Sequence, residues 1–251
     1  MILRAIFFYL TLATMTQACE GEIACELGDR SYHVREPDNW DGVTPLPVML
    51  HFHGWARQGD LVVNHGRISA STRRRGVLLL APNGMNKTWN FRRRGSPDTA
   101  FAAAVIEDAA KRYPIDRSQI FVSGYSFGAA MAWRYVCDNG NDVAALFAVS
   151  GSIDQRENCA QAPRQARHVH GLTDTVMRYP AGNNDPLYPV ALWRDAYGCD
   201  TPDSQSDYFI RSFLTFTRYT WDCDGGQVTF DQHGGGHFIP HGWFGRQLDE
   251  M

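Results

Sequence analysis

The sequence predicts an α/β protein in which a mostly parallel central sheet is covered by helices on both faces. Three observations carry that expectation. Short apolar runs of strand length at 48–52, 77–81, 120–123 and 144–150 alternate with stretches of helical spacing. Runs apolar at every position, rather than at every second one, belong to strands buried on both faces, as in a parallel sheet between helix layers. The 251 residues, 44% of them hydrophobic, suffice for one large domain with a well-buried core. No repeat, low-complexity tract or linker divides them.

The N-terminal residues 1–18 read as a secretory signal. Arg4 supplies the charge, residues 5–15 the apolar segment, and Thr16-Gln17-Ala18 a small-residue cleavage site. The apolar segment is too short to span a bilayer, so residues 19–251 are expected to be exported, extracellular or periplasmic, without a membrane span. Cys19 after that site also raises lipid attachment, although Thr16 and Gln17 fit such a site poorly.

Residues 30–37 then alternate as an edge strand does, 38–47 are turn-rich, and 48–52 form the first buried strand, leading into His53-Gly54-Trp55. Residues 61–74 carry helical spacing through Val62, Ile68 and Ala70. The second buried strand, 77–81, is stopped by Pro82-Asn83-Gly84. A polar, basic loop over 85–97 holds Trp89 and Phe91. Asp98 is placed to cap the next helix, whose Phe101, Ala102, Val105, Ile106 and Ala109 recur at three- and four-residue spacing before Pro114 closes it. The strand at 120–123 runs into a helix over 126–137, and strands follow at 144–150 and 166–170. Residues 189–197 read as helical and 209–219 as a strand. A short last strand at 227–230 runs into Gly234-Gly235-Gly236-His237.

A net charge of −3 gives no electrostatic ground for a nucleic-acid or anionic-membrane partner. The runs Arg73-Arg74-Arg75 and Arg92-Arg93-Arg94 read as solvated surface. Six cysteines in an exported chain point to three disulfides. Of the connectivities six cysteines allow, order along the chain suggests Cys19–Cys25, Cys137–Cys159 and Cys199–Cys223. None of these cysteines has zinc-knuckle spacing. His51 and His53, alternate residues of a buried strand without a nearby carboxylate, read as structural, so no metal is expected. Asn86-Lys87-Thr88 matches a glycosylation sequon.

The stretch that carries chemistry is Gly124-Tyr125-Ser126-Phe127-Gly128, between an apolar strand and a helical pattern. In such a strand-turn-helix the serine backbone is strained and its hydroxyl stands clear of the sheet, above a helix N-terminus. A serine hydroxyl is a poor nucleophile at neutral pH and needs a base in contact and a carboxylate to orient that base. In the α/β-hydrolase fold those partners follow in the order serine, acid, histidine, each on a loop after a strand. Asp174 is the favoured acid over Asp154 and Asp185. His237, which three glycines bring close, is the favoured base over His233 and His241. Oxyanion donors are expected from the N–H groups of Phe127 and Trp55, with Ala56 as the fallback. Trp89 and Tyr125 are assigned to substrate binding. The other reading of Trp89 is a cover for the core.

With His53-Gly54, Pro82-Asn83-Gly84, Thr88-Trp89-Asn90, Asp116, the serine pentapeptide, His170-Gly171 with Asp174, and Gly234-Gly235-Gly236-His237 assembled, the chain resembles a known branch of the α/β hydrolases. That branch holds the secreted polyhydroxybutyrate depolymerase-like proteins and the feruloyl esterases, and the likeness runs from about residue 31 to residue 243. The resemblance implies an exported serine esterase without a cofactor, with Ser126, Asp174 and His237 as triad. Its partner would be an ester substrate: a polyester, a plant-polysaccharide ester or a small ester. A monomer is expected. Where that branch commonly has a small residue after the nucleophile and a cysteine after the first His-Gly, this chain has Phe127 and Trp55. Their bulk narrows the pocket mouth and favours smaller or aromatic acyl esters over a polymer. A serine peptidase of the prolyl-oligopeptidase type shares the triad order but carries a propeller-like domain with no counterpart here. A non-catalytic binding protein on this scaffold would usually have lost a triad member.

Overall fold

In the computed structural model, which describes residues 19–178 and 187–251, ten strands join one sheet. The signal-peptide reading of residues 1–18 and the alternative acid Asp185 lie outside the described residues. The strands are β1 (Cys25–Leu27), β2 (Arg30–Arg35), β3 (Leu46–Phe52), β4 (Leu78–Pro82), β5 (Ile115–Tyr125), β6 (Ala145–Val149), β7 (Gln165–Gly171), β8 (Ser204–Arg211), β9 (Leu214–Cys223) and β10 (Gly226–His233). Their order is β1-β2-β4-β3-β5-β6-β7-β10-β9-β8. From β4 to β10 every neighbouring pair is parallel, whereas the strands at both ends are antiparallel.

The helices are α1 (Gly59–Val63), α2 (Ser69–Arg73), α3 (Pro97–Ala109), α4 (Phe127–Asn139), α5 (Ala191–Tyr197) and α6 (Trp243–Asp249). Side chains alternate across a strand, so each apolar run feeds two cores. Val48, Leu50, Phe52, Leu78 and Leu80 join the core that holds Val105 of α3, Trp133 of α4 and Trp193 of α5. Met49, Leu79 and Ala81 join the opposite one, with Val62 of α1 and Trp243 and Phe244 of α6. Both faces of the parallel strands are thereby covered, as the unbroken apolar runs require.

Several elements differ from expectation for local reasons. The strand at 30–37 is not at the edge, because the three-residue β1 pairs outside it. The helix expected over 61–74 is two short helices, α1 and α2, separated at 64–68. The helix α3 is capped by Ser96, not Asp98: the Ser96 hydroxyl accepts from the Thr99 N–H, and Pro97 opens the first turn. Asp98 instead holds Arg30 at 2.7 Å and accepts the Asn90 N–H. The segment 209–219 is a hairpin, β8 and β9, that turns at Ser212-Phe213. Among the described residues no helix is long and apolar enough to cross a membrane.

The disulfides pair as order along the chain suggested. Cys137–Cys159 ties the end of α4 to the segment before β7, and Cys199–Cys223 ties the segment after α5 to the end of β9. Each closes a loop of more than twenty residues, so replacing Cys137 and Cys159 together by alanine is expected to cost about 3 kcal/mol. Denaturant melts of the two proteins measure it, and an unchanged midpoint would contradict the expectation.

Candidate active site

Ser126 sits between β5 and α4 with φ 57° and ψ −122°, a backbone that residues with a Cβ rarely adopt. Its neighbours permit the turn. A Cβ on Gly124 would lie 2.1 Å from the Gly128 carbonyl oxygen, and one on Gly128 would lie 2.0 Å from that of Phe52. Only glycine at both positions lets strand β5, helix α4 and the end of β3 approach backbone to backbone. The Ser126 N–H donates to Val149 O on β6 at 2.9 Å, which pins the turn to the neighbouring strand.

Ser126 Oγ lies 2.9 Å from His237 Nε2, and His237 Nδ1 lies 2.7 Å from Asp174 Oδ2. The acid and the histidine come from adjacent parallel strands, β7 and β10, and their loops are bonded together. Leu172 N–H donates to His233 O, and Thr173 N–H donates to Gly235 O. Asp174 Oδ1 accepts the Val176 and Met177 N–H groups at 2.9 Å each. Burial alone would push the Asp174 carboxyl up. Hydrogen bonds from His170, His237 and those two amides outweigh it and hold the group well below the usual carboxylate range. The rivals lie elsewhere: Asp154 is paired with Arg156, His233 Nδ1 accepts the Gly235 N–H, and His241 faces Arg211.

On the other side of Ser126, the loop after β3 is braced by its own histidine. His53 Nδ1 donates to Gly54 O at 2.8 Å while Nε2 accepts the Gly84 N–H at 3.0 Å, a pattern that needs the neutral ring. Burial supplies that state, lowering His53 to about 4 and its strand neighbour His51 to about 3. The Ala56 N–H is spent on Lys87 O. The Trp55 N–H has no acceptor among the described residues, and Phe127 opens α4, where an N–H lacks an intrahelical partner. Both amides are thus without a backbone acceptor among the described residues.

Trp89 is not in the cleft. Its ring is buried, 5.1 Å from that of Phe52 and 4.6 Å from that of His53, and its indole N–H donates to His53 O. It supports the loop from below, which corrects its assignment to substrate binding. Tyr125 does line the cleft, and its hydroxyl donates to His237 O at 3.0 Å, which holds the His237 backbone. That cleft, about 630 Å³, opens between the loop after β3, the helix α1 with the segment 64–68 that follows it, and Phe238-Ile239. The Trp55 side chain is 66% exposed.

Sequence reasoning missed the histidine behind the acid. His170 Nε2 lies 2.7 Å from Met177 O and 3.4 Å from Asp174 Oδ2. A carbonyl only accepts, so that nitrogen carries the hydrogen. Its Nδ1 lies 3.1 Å from Nε2 of the buried His168, two residues back along β7. The signal was two histidines on one face of an apolar strand. Among the described residues no group of three or more metal-ligating side chains gathers.

The architecture is the α/β-hydrolase fold, with a serine, a histidine and a carboxylate in hydrogen-bond contact at the loops after β5, β10 and β7. The known proteins to which the chain is similar include named esterases. It is 27% identical over 201 residues to a bifunctional acetylxylan esterase/xylanase of Neocallimastix patriciarum, which covers 78% of this chain and 29% of that protein. It is 26% identical over 188 residues to feruloyl esterase C of Emericella nidulans, 69% of this chain and 68% of that one. The chain thus spans less than a third of the first relative's length and about two thirds of the second's. Among solved structures, an acetyl xylan esterase from Aspergillus awamori superposes with a TM-score of 0.67 at 17% identity, over 86% of this chain and 94% of that one. No protein-family model matches.

The neutral buried histidines set the acid stability. His51, His53 and His233 are lowered to about 3, 4 and 4, mainly by burial, against ~6.5 when unfolded. Between those values the unfolded chain binds protons that the folded one does not, so stability rises with pH there and falls on acidification. The depressed carboxyl of Asp174 adds a loss in the same direction only below ~4. Thermal melts at several pH values between 7 and 4 are expected to show a steadily falling midpoint; a flat profile would contradict this.

Proposed function

We propose that this chain is an exported serine carboxylic-ester hydrolase working through an acyl-enzyme on Ser126. The observation that carries the reading is the unbroken line of hydrogen bonds from Ser126 through His237 to Asp174 on a strained strand-to-helix turn. His237 Nε2 takes the hydroxyl proton as Ser126 Oγ attacks the ester carbonyl carbon. Asp174 holds Nδ1–H and stabilises the imidazolium that forms. Negative charge then collects on the carbonyl oxygen, where the Phe127 and Trp55 amides are available as fixed donors. As the intermediate collapses, the bond to the alcohol oxygen breaks and His237 hands that oxygen the proton. A water, deprotonated by the same nitrogen, attacks the acyl carbon and releases the acid and free Ser126.

The naming of the relatives as feruloyl and acetylxylan esterases supports an ester on plant polysaccharide, or a small ester, as substrate. The bulk of Phe127, the residue after the nucleophile, and of Trp55 on the loop after β3 supports small or aromatic acyl groups. Three disulfides support an extracellular or periplasmic setting, and we take the working form to be a monomer.

The test is hydrolysis of 4-nitrophenyl acetate, methyl ferulate, acetylated xylan and a hydroxybutyrate oligomer by the wild type and Ser126→Ala. The wild type is expected to cleave at least one, and the variant to lose kcat by ~10⁴-fold or more. A folded wild type that cleaves none of them would overturn the reading.

A further inference from the structure

We infer that the cleft lined by Gly54, Tyr125 and Phe238, of which the last two are the chain neighbours of Ser126 and His237, is a subsite for an ester that carries a carboxylate, and that Arg57 is the residue that recognises it. The inference rests on the esterase reading above and extends it to a substrate class.

The cleft has Gly54 and Tyr125 in its wall and apolar Leu61 and Val62 of α1 and Ile68 of the segment after it in its lining. Its lining includes two guanidinium groups, Arg57 and Arg67, and no aspartate or glutamate. Arg67 is occupied, donating to Ile239 O just after the catalytic histidine. Arg57 has no side-chain hydrogen bond or ion pair among the described residues. Arg35, Arg73, Arg117 and Arg156 each hold a carboxylate, whereas the exposed Arg57, like Arg74 and Arg93 elsewhere on the surface, holds none; of these three only Arg57 lines the cleft. Asp60, three residues on, makes no ion pair with Arg57 and does not line the cleft.

Arg57 is also well placed. Its N–H donates to Gly54 O, so the residue is anchored to the loop that offers the Trp55 amide. Its charge is felt at the Tyr125 hydroxyl, where it opposes the upward push of burial and of Asp174. His51 and His53 are held neutral in the same lining and bring no competing cation. A planar guanidinium beside apolar walls suits a carboxylate, which it can grip through two parallel N–H bonds.

The carboxylate could sit on the acyl part of the ester or on the alcohol, as a uronic acid does, and matched pairs separate the two. The acyl pair is mono-4-nitrophenyl adipate against 4-nitrophenyl hexanoate. The alcohol pair is 4-carboxybenzyl acetate against 4-methylbenzyl acetate. In one pair the anionic member is expected to have a kcat/KM about two- to fivefold higher, carried by KM and shrinking as salt rises from about 20 to about 500 mM. Arg57→Gln should bring that ratio close to one, and Arg57→Lys should keep part of it. No preference in either pair, or a preference that survives Arg57→Gln, would overturn the subsite. If the folded wild type cleaved no member of either pair, the esterase reading itself would fail, a different result from cleavage without preference.

Discussion

The close approach of backbone to backbone at Gly124 and Gly128 is the constraint on which the rest depends. Those contacts hold Ser126 at a positive φ, with its hydroxyl lifted off the sheet and its N–H tied to β6. Strain of this kind persists only where the surroundings over-determine it. Here the surroundings are the central parallel strands, buried on both faces by apolar side chains. Because β3, β5, β7 and β10 run in the same direction, their following loops meet at one edge of the sheet, where open α/β sheets place their ligands. One loop brings the Trp55 amide, one Ser126, one Asp174 and one His237.

Electrostatics divides the site into two kinds of group. Around the loop after β3, burial keeps His51 and His53 neutral, so they act as fixed donors and acceptors rather than as charges. Around Asp174, two backbone amides and two imidazoles converge on one carboxylate and keep it charged despite its burial. A carboxylate so held can orient His237 without competing for its proton, which is what a serine nucleophile needs from its third partner.

What was legible in the sequence was local. The spacing of Gly124, Ser126 and Gly128 marks the turn without help from distant residues, and the order of strands and loops then singles out Asp174 and His237. What was not legible depended on partners far along the chain. Asp98 looked like a helix cap, but Arg30 on β2 claims it, and Ser96 takes the cap instead. Trp89 looked like a pocket residue because a loop tryptophan can face either way; the carbonyl of His53 and the ring of Phe52 decide that it faces inward. The three-residue β1 and the seven-residue α6 are too short to show a period. The His168–His170 pair was visible as letters, but its contact with Asp174 follows only from the turn after β7.

The central claim is that Ser126, activated by His237 and Asp174, is the nucleophile. Reaction with a fluorophosphonate, followed by intact-mass measurement and peptide mapping, tests it most directly because it needs no knowledge of the substrate. The account predicts a single adduct on the peptide that contains Ser126, abolished by Ser126→Ala and slowed by orders of magnitude in His237→Ala. A folded protein that takes up no adduct, or takes it up at another residue, would contradict it.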